Sequence, residues 1–388
     1  MNNQTDSDQF PPGALHVGRP NIGNRDVFFR RLNDMFDRRW LTNNGPFVQE
    51  LEKKIAERLG INHCVAVCNG TMALELAIKA LGMSGEVILP AFTFIGTAHA
   101  LQWQGIKPVF CDIDPATHNL DPEKVEALIT ERTTGILGVH LWGRPCAPES
   151  LSRIAKKHGL ALLFDAAHAF DCSHGGKMIG HFGDAEIFSF HATKFFNTAE
   201  GGAIVTRNDE VAEKAGQMRD FGFAGYDNVV SLGVNGKMIE LCAALGLTNL
   251  ESIDEFITSN RRDYQQYQEE LSGLAGLSFV EYNRAEKNNY QYVVVLVDEN
   301  KTGVDRDTLV SMLHDNDILA RRYFWPGCHR MQPYRTNDPQ ARDRLPETER
   351  VARQVLVLPT GTTVSPTDIT RTCSLIRQTL KTPKTLIP

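Results

Sequence analysis

A single lysine stands among phenylalanines in FSFHATKFFNTAEGG, residues 188–202, just after a serine and a histidine and just before paired glycines. Ammonium groups ordinarily stay hydrated. Set among aromatic rings, the Lys194 amine is expected to be desolvated, which lowers its pKa and frees a neutral nitrogen to attack a carbonyl; the plainer reading is a stem that covers apolar surface. Ser189 and His191 alternate on the strand before it and at its exit. The run ALLFDAAHAF ends an apolar strand on Asp165, with His168 three residues further on. A carboxylate there needs a cation or several donors, so it reads as the partner of a protonated ring nitrogen or as a helix cap. CNGT, residues 68–71, joins a strand to a helix, where backbone amides and the helix dipole favour a phosphate. Gly70 lets the backbone approach closely and the Thr71 hydroxyl adds a donor, although an ordinary N-cap has the same pattern. An aldehyde-capturing amine, an acidic partner for a ring nitrogen and a phosphate cup are together the requirements of pyridoxal 5'-phosphate. Phe94, in AFTFIGTAHA, either lies over one face of that ring or packs in the core.

Such groups must be brought together by a scaffold. Between about residues 50 and 210, short β-rich apolar runs alternate with helical patterns, the signature of a parallel sheet covered by helices. The expected strands are 64–68, 86–90, 108–113, 135–141, 161–165, 186–190 and 202–206, apolar enough to be buried on both faces. In such sheets ligands collect beyond the carboxyl ends of the strands, where Asn69, Phe94, Asp165 and Lys194 fall. IDEFITSNRRDYQQYQEELSGL reads as one long helix, and from about residue 276 a smaller α+β unit begins with LSFVEY, YQYVVVLV, a helix at 305–316 and LARRYF. Residues 326–350 read as a long loop. The domain reading is a flexible N-terminus at 1–15, a large domain at 16–250, a connecting helix at 251–275 and a small C-terminal α+β domain at 276–388.

Composition narrows the function. With 388 residues, 42% hydrophobic and 23% charged, the chain has the make-up of a soluble globular protein. A net charge of −6 with mixed signs argues against nucleic acid or an anionic membrane as partner. MNNQTDSDQFPPG lacks the basic and apolar blocks of a signal peptide, so a cytoplasmic address is expected. The eight cysteines are scattered, so reduced thiols and no metal site are expected. Neither GxGxxG after a strand nor GxxxxGK[ST] occurs, which leaves dehydrogenase and NTPase readings unanchored.

The ordered series NNGPFVQELEKKIAERLG, CNGTMALELAIKALG, EVILPAFTFIGTAHALQWQGIKPVFCDIDPATHNLDPEKVE, VHLWGRP, LLFDAAHAF, FGDAEIFSFHATKFFNTAEGGAIVT and GVNGKMIELCAALGL resembles the DegT/DnrJ/EryC1/StrS family of nucleotide-sugar aminotransferases, from about residue 15 to the C-terminus. The resemblance implies an α/β fold, the pyridoxal-phosphate-dependent transferase fold type I, with a mostly parallel seven-stranded sheet in its large domain. It implies that Lys194 binds the cofactor aldehyde and Asp165 faces the pyridinium, with His168 near the cofactor as the third catalytic candidate. Ser189, Gly70 and Thr71 would hold its phosphate and Phe94 would stack on it. Asn235 resembles the asparagine that reaches the phosphate of the neighbouring subunit, which implies a homodimer with shared active sites. Tyr323 and His329, in YFWPGCHRMQPYR, and Lys237 would shape the sugar pocket. Glutamate and a nucleotide-linked keto-sugar are the implied substrates, with the cofactor cycling through pyridoxamine 5'-phosphate and the amino sugar serving surface polysaccharide such as lipopolysaccharide O-antigen, or natural-product glycosylation. Ala199, Val234 and Lys237 depart from the usual Gly, Tyr and Arg, which bears on sugar specificity. Two alternatives are a sugar dehydratase of the same family, against which Lys194 argues because those enzymes carry histidine there, and a non-catalytic regulator, against which the intact Lys194, Asp165 and Ser189 argue.

Overall fold

The structure, a computed structural model, describes residues 13–381. Its main sheet has seven strands: β1 (His63–Val67), β2 (Glu86–Pro90), β3 (Lys107–Cys111), β4 (Thr133–Val139), β5 (Ala161–Asp165), β6 (Ala185–Ser189) and β7 (Gly202–Thr206). Their order is β1-β7-β6-β5-β4-β2-β3, with β7 antiparallel to both neighbours and every other pairing parallel. All seven coincide with the apolar runs read from the sequence, to within two residues at either end. These strands are buried along almost their whole length, because helices cover both faces. Two of the covering helices begin at strand exits: α1 (Gly70–Ala80) after β1 and α2 (Ile95–Gln102) after β2.

The helix α3 (Ile253–Leu271) then leads to a second sheet of three antiparallel strands, β8 (Leu277–Phe279), β9 (Val293–Val297) and β10 (Val355–Leu358), in that order. Helices α4 (Arg306–His314) and α5 (Pro366–Lys381) accompany it. Two sequence expectations are corrected here. Residues 326–350 are not a continuous loop: short helices occupy Tyr334–Asn337 and Pro346–Gln354, the latter opened by a proline at its first turn and burying Val351 and Ala352. LARRYF contributes less than a full strand to the small sheet: Ile318–Leu319 pairs in parallel with Leu15–His16, Arg321 alone bridges antiparallel to Val357, and VLVL at 355–358 supplies the strand. The expected flexible N-terminus lies mainly outside the described residues; Leu15, at its end, is buried against Ile318. Among the described residues no helix is long and apolar enough to cross a membrane.

Candidate active site

Strand ends at one edge of the main sheet deliver the chemistry. Asn69, after β1, caps α1 by accepting the Met72 N–H at 2.8 Å. The first amides of that helix have no carbonyl one turn back, so positive potential gathers at Gly70 and Thr71. Only glycine suits position 70: a Cβ there would stand 2.8 Å from Ser189 Cβ, at the end of β6. Helix and strand thus close to a cup of N–H and hydroxyl donors, which suits a phosphate.

Beside the cup lies a cavity of ≈ 460 Å³ lined by Asp165, Lys194, His168, Phe94, Ser189, Gly70, Thr71 and Tyr323 among others. Asp165 is buried; burial pushes its carboxyl above the usual carboxylate range, against the pull of the Ala167 N–H at 3.1 Å, the Thr97 hydroxyl at 2.9 Å and the Lys194 charge. Lys194 is only half-buried as a residue, but its amine is enclosed by protein, and that burial brings its pKa down to about 8 against the opposing pull of Asp165. Its Nζ donates to the Tyr292 hydroxyl at 3.5 Å. His168 is driven well below the ordinary imidazole range by burial and by the Lys194 charge, so its ring is neutral. Its Nδ1 accepts the Trp142 N–H at 3.3 Å, which leaves the proton on Nε2. His191, half-exposed at the cavity mouth, holds Thr193 at 2.8 Å and faces Glu200 at 3.5 Å. Phe94 is 59% exposed, so it is no core residue but a cavity wall.

The lowered pKa has a measurable consequence. A lysine with a pKa of about 8 is largely neutral above that pH, whereas an ordinary one with a pKa near 10.5 is not. Covalent capture of an aromatic aldehyde by cofactor-free protein is therefore expected to rise with pH to a midpoint near 8, read by stopped-flow absorbance; a midpoint near that of free lysine would show a hydrated amine.

The donor set fits pyridoxal 5'-phosphate: an enclosed amine, a buried carboxylate in the same cavity, and a phosphate cup that a Cβ at Gly70 would fill. The family profile described as the DegT/DnrJ/EryC1/StrS aminotransferase family matches residues 24–377. The chain belongs to that family. As a member of the DegT/DnrJ/EryC1/StrS aminotransferases, it is a pyridoxal-phosphate enzyme. It is 38% identical over 364 residues, 94% of this chain and 98% of the relative, to a dTDP-4-amino-4,6-dideoxy-D-glucose transaminase of Shigella dysenteriae. It is 34% identical over 360 residues, 89% and 94% of the two chains, to a GDP-perosamine synthase of Caulobacter vibrioides. Among solved structures, DesI in the presence of its TDP-sugar product superposes with a TM-score of 0.89 at 46% identity, over 95% of this chain and 93% of that one.

Three residues named from the sequence lie outside this chain's cavity. Asn235 is exposed on the loop beside the cup, whose Gly236 carbonyl accepts the Cys68 N–H at 2.8 Å. Lys237 pairs with Asp220 at 2.5 Å and covers the Phe221 ring at 4.7 Å. His329 does not face the cavity, because Glu349 holds its ring at 2.9 Å and also binds Arg330. Conversely, Thr93, Thr97, Tyr292 and Phe324 line the cavity and were not singled out in the sequence. Thr97 carries a faint signal, one turn into the helix that follows Phe94. Tyr292 and Phe324 come from the distant small sheet and its flank, with no local motif.

Proposed function

We propose that this enzyme moves the amino group of glutamate onto the keto carbon of a nucleoside-diphosphate-linked 6-deoxyhexose, with C4 of a thymidine-diphosphate sugar as the preferred acceptor. The reading is carried by one observation: the enclosed Lys194 amine and the buried Asp165 carboxylate face a single cavity beside a phosphate cup. Similarity to the Shigella dysenteriae transaminase and to DesI supports the sugar and the nucleotide.

Bound in this cavity, pyridoxal 5'-phosphate supplies an electron sink and, as pyridoxamine 5'-phosphate, carries the amino group from one substrate to the other. Lys194, whose lowered pKa lies near working pH, takes the proton from the α-carbon of glutamate and, in the second half-reaction, delivers one to the sugar carbon being aminated. Asp165 holds a negative charge against the ring nitrogen, and Gly70, Thr71 and Ser189 hold the phosphate. Glutamate leaves as 2-oxoglutarate, and the sugar C=O becomes CH–NH2. Glutamate supplied with a panel of dTDP-, UDP- and GDP-linked 3-keto and 4-keto sugars tests the reading. Mass detection is expected to show amination of a dTDP-linked 4-keto sugar with equimolar 2-oxoglutarate. Amination of no sugar by any amino donor would refute the reading.

We further propose a homodimer whose sites are shared. The loop that carries Asn235 exposes Phe221, Val230 and Leu232, and the helix Arg25–Arg38 with the turn after it exposes Phe36 and Trp40. Apolar surface on this scale marks an interface, and the exposed Asn235 would reach the partner's phosphate cup. Each variant in the pair Lys194→Ala and Asn235→Ala is then expected to be weak alone, while mixing them restores up to a quarter of wild-type turnover through hybrid dimers with one intact site. Activity that never exceeds the sum of the parts would exclude sharing. The eight free cysteines, seven of them buried, suit a reducing cytoplasm.

A further inference from the structure

We infer that Thr97 is the positioning residue that orients the Asp165 carboxylate toward the cofactor ring, and that Thr93 fixes the direction in which Thr97 donates. The inference rests on the assignment of Asp165 as the ring-nitrogen partner and adds to it residues that carry no recognisable motif.

The geometry admits one arrangement of protons. Thr97 and Thr93 are 1% and 2% exposed, so bulk water does not satisfy either hydroxyl and their partners are each other and Asp165. Thr97 Oγ1 lies 2.9 Å from Asp165 Oδ2 and 3.2 Å from Thr93 Oγ1. An ionised carboxylate only accepts, and a hydroxyl has a single proton. Thr97 therefore donates to Asp165, and the second contact is satisfied only if Thr93 donates to Thr97. The other carboxylate oxygen accepts the Ala167 N–H at 3.1 Å. One donor on each oxygen fixes the carboxylate plane and leaves roughly two of its four lone-pair directions for the cavity. The hydroxyl comes from α2, an element separate from the strand that carries Asp165, so the packing of α2 on the sheet sets where the charge points. A pair of threonines that merely fills core space would need the methyl groups and not the hydroxyls.

The charged and titratable groups that face Asp165 are Lys194 from the turn after β6, His140 from the exit of β4, and His168 from its own segment. None of them replaces the Thr97 donor in the bonds described. Without that donor, a carboxyl already pushed up by burial takes a proton at still higher pH, and the protonated ring nitrogen loses its anion.

Titration of cofactor-free protein with pyridoxal 5'-phosphate, followed by absorbance from about pH 5 to about pH 9, tests this without turnover. Thr97→Val is expected to raise the dissociation constant about tenfold, the usual worth of a hydrogen bond to a charged group. Its acid-side loss of binding should begin at higher pH than in the wild type. Thr97→Ser, which keeps the hydroxyl, should restore both quantities. Thr93→Val, which keeps the Asp165 bond but frees Thr97 to turn, should show a smaller rise, and it tests the relay should the valine at 97 prevent folding. Wild-type affinity and acid limb in Thr97→Val and Thr93→Val would overturn the inference. So would a Thr97→Ser protein as impaired as Thr97→Val, since methyl packing would then be responsible. A wild-type protein that binds no pyridoxal 5'-phosphate would instead overturn the cofactor assignment for the site.

Discussion

Lys194→Ala is expected to lower turnover by roughly 10⁴-fold or more, because in the proposed mechanism one side chain holds the cofactor aldehyde and also moves the substrate proton. The rest of the site is untouched by the change. Gly70, Thr71 and Ser189 still form the cup, and Asp165 keeps its bonds to Thr97 and Ala167. The variant should therefore still retain the cofactor through the phosphate, at reduced affinity, while losing the visible band that a covalent lysine link gives. Small primary amines such as methylamine should recover part of the lost rate, since the cavity vacated by the side chain admits them and the missing function is a neutral nitrogen. Steady-state rates with and without the amine, read beside cofactor content, separate this from misfolding. Turnover within tenfold of wild type would require another base, and among the groups lining the cavity the neutral His168, the half-exposed His191 and the Glu200 carboxylate are candidates.

That these positions were readable from the sequence follows from where the scaffold keeps them. Asp165, Ser189 and Lys194 each sit at or just beyond a strand whose apolar run is unmistakable, so local pattern and candidate site coincide. The strands themselves were legible because both faces are covered, which forces near-continuous apolar stretches such as EVILP and GAIVT. Thr97 and Thr93 were not, because a threonine near a helix start has many ordinary reasons to be there, and only the tertiary placement of α2 brings its hydroxyl to Asp165. Tyr292 belongs to a segment about a hundred residues from Lys194, and no periodicity encodes that meeting. The segment after residue 326 misled for a different reason. Its Pro, Arg and Asp content reads as loop, yet Pro346 starts a helix, and Asp112 accepts the amides of Glu347 and Thr348 at that helix's first turn, a tertiary cap supplied from β3's exit. His329 follows the same logic: its sequence context placed it at a pocket, but the Glu349 carboxylate on that unexpected helix claims its ring.

Asp165→Asn is the sharper test of how the site does its chemistry. The amide has nearly the shape of the carboxylate, and its oxygen can still accept from Thr97 or Ala167, so the fold and the cup should survive. What disappears is the negative charge. An opposite charge at this range shifts a titrating group by about 1–3 pK units, and each unit corresponds to about 1.4 kcal/mol, so the protonated ring nitrogen should lose that much preference. Removal of the proton from the α-carbon of glutamate depends on that positive ring, and its rate is expected to fall by roughly 10- to 10³-fold, while cofactor affinity falls less because the phosphate contacts persist. The distinguishing measurement is the isotope effect of glutamate deuterated at the α-carbon in single-turnover experiments. If Asp165 serves the ring, proton removal becomes the slow step and the isotope effect grows towards its intrinsic value. A slower enzyme with an unchanged isotope effect would place the damage in binding or product release. An unchanged rate would mean that the ring nitrogen finds its anion elsewhere, and of the cavity-lining groups only Glu200, 60% exposed at the mouth beside His191, carries another carboxylate.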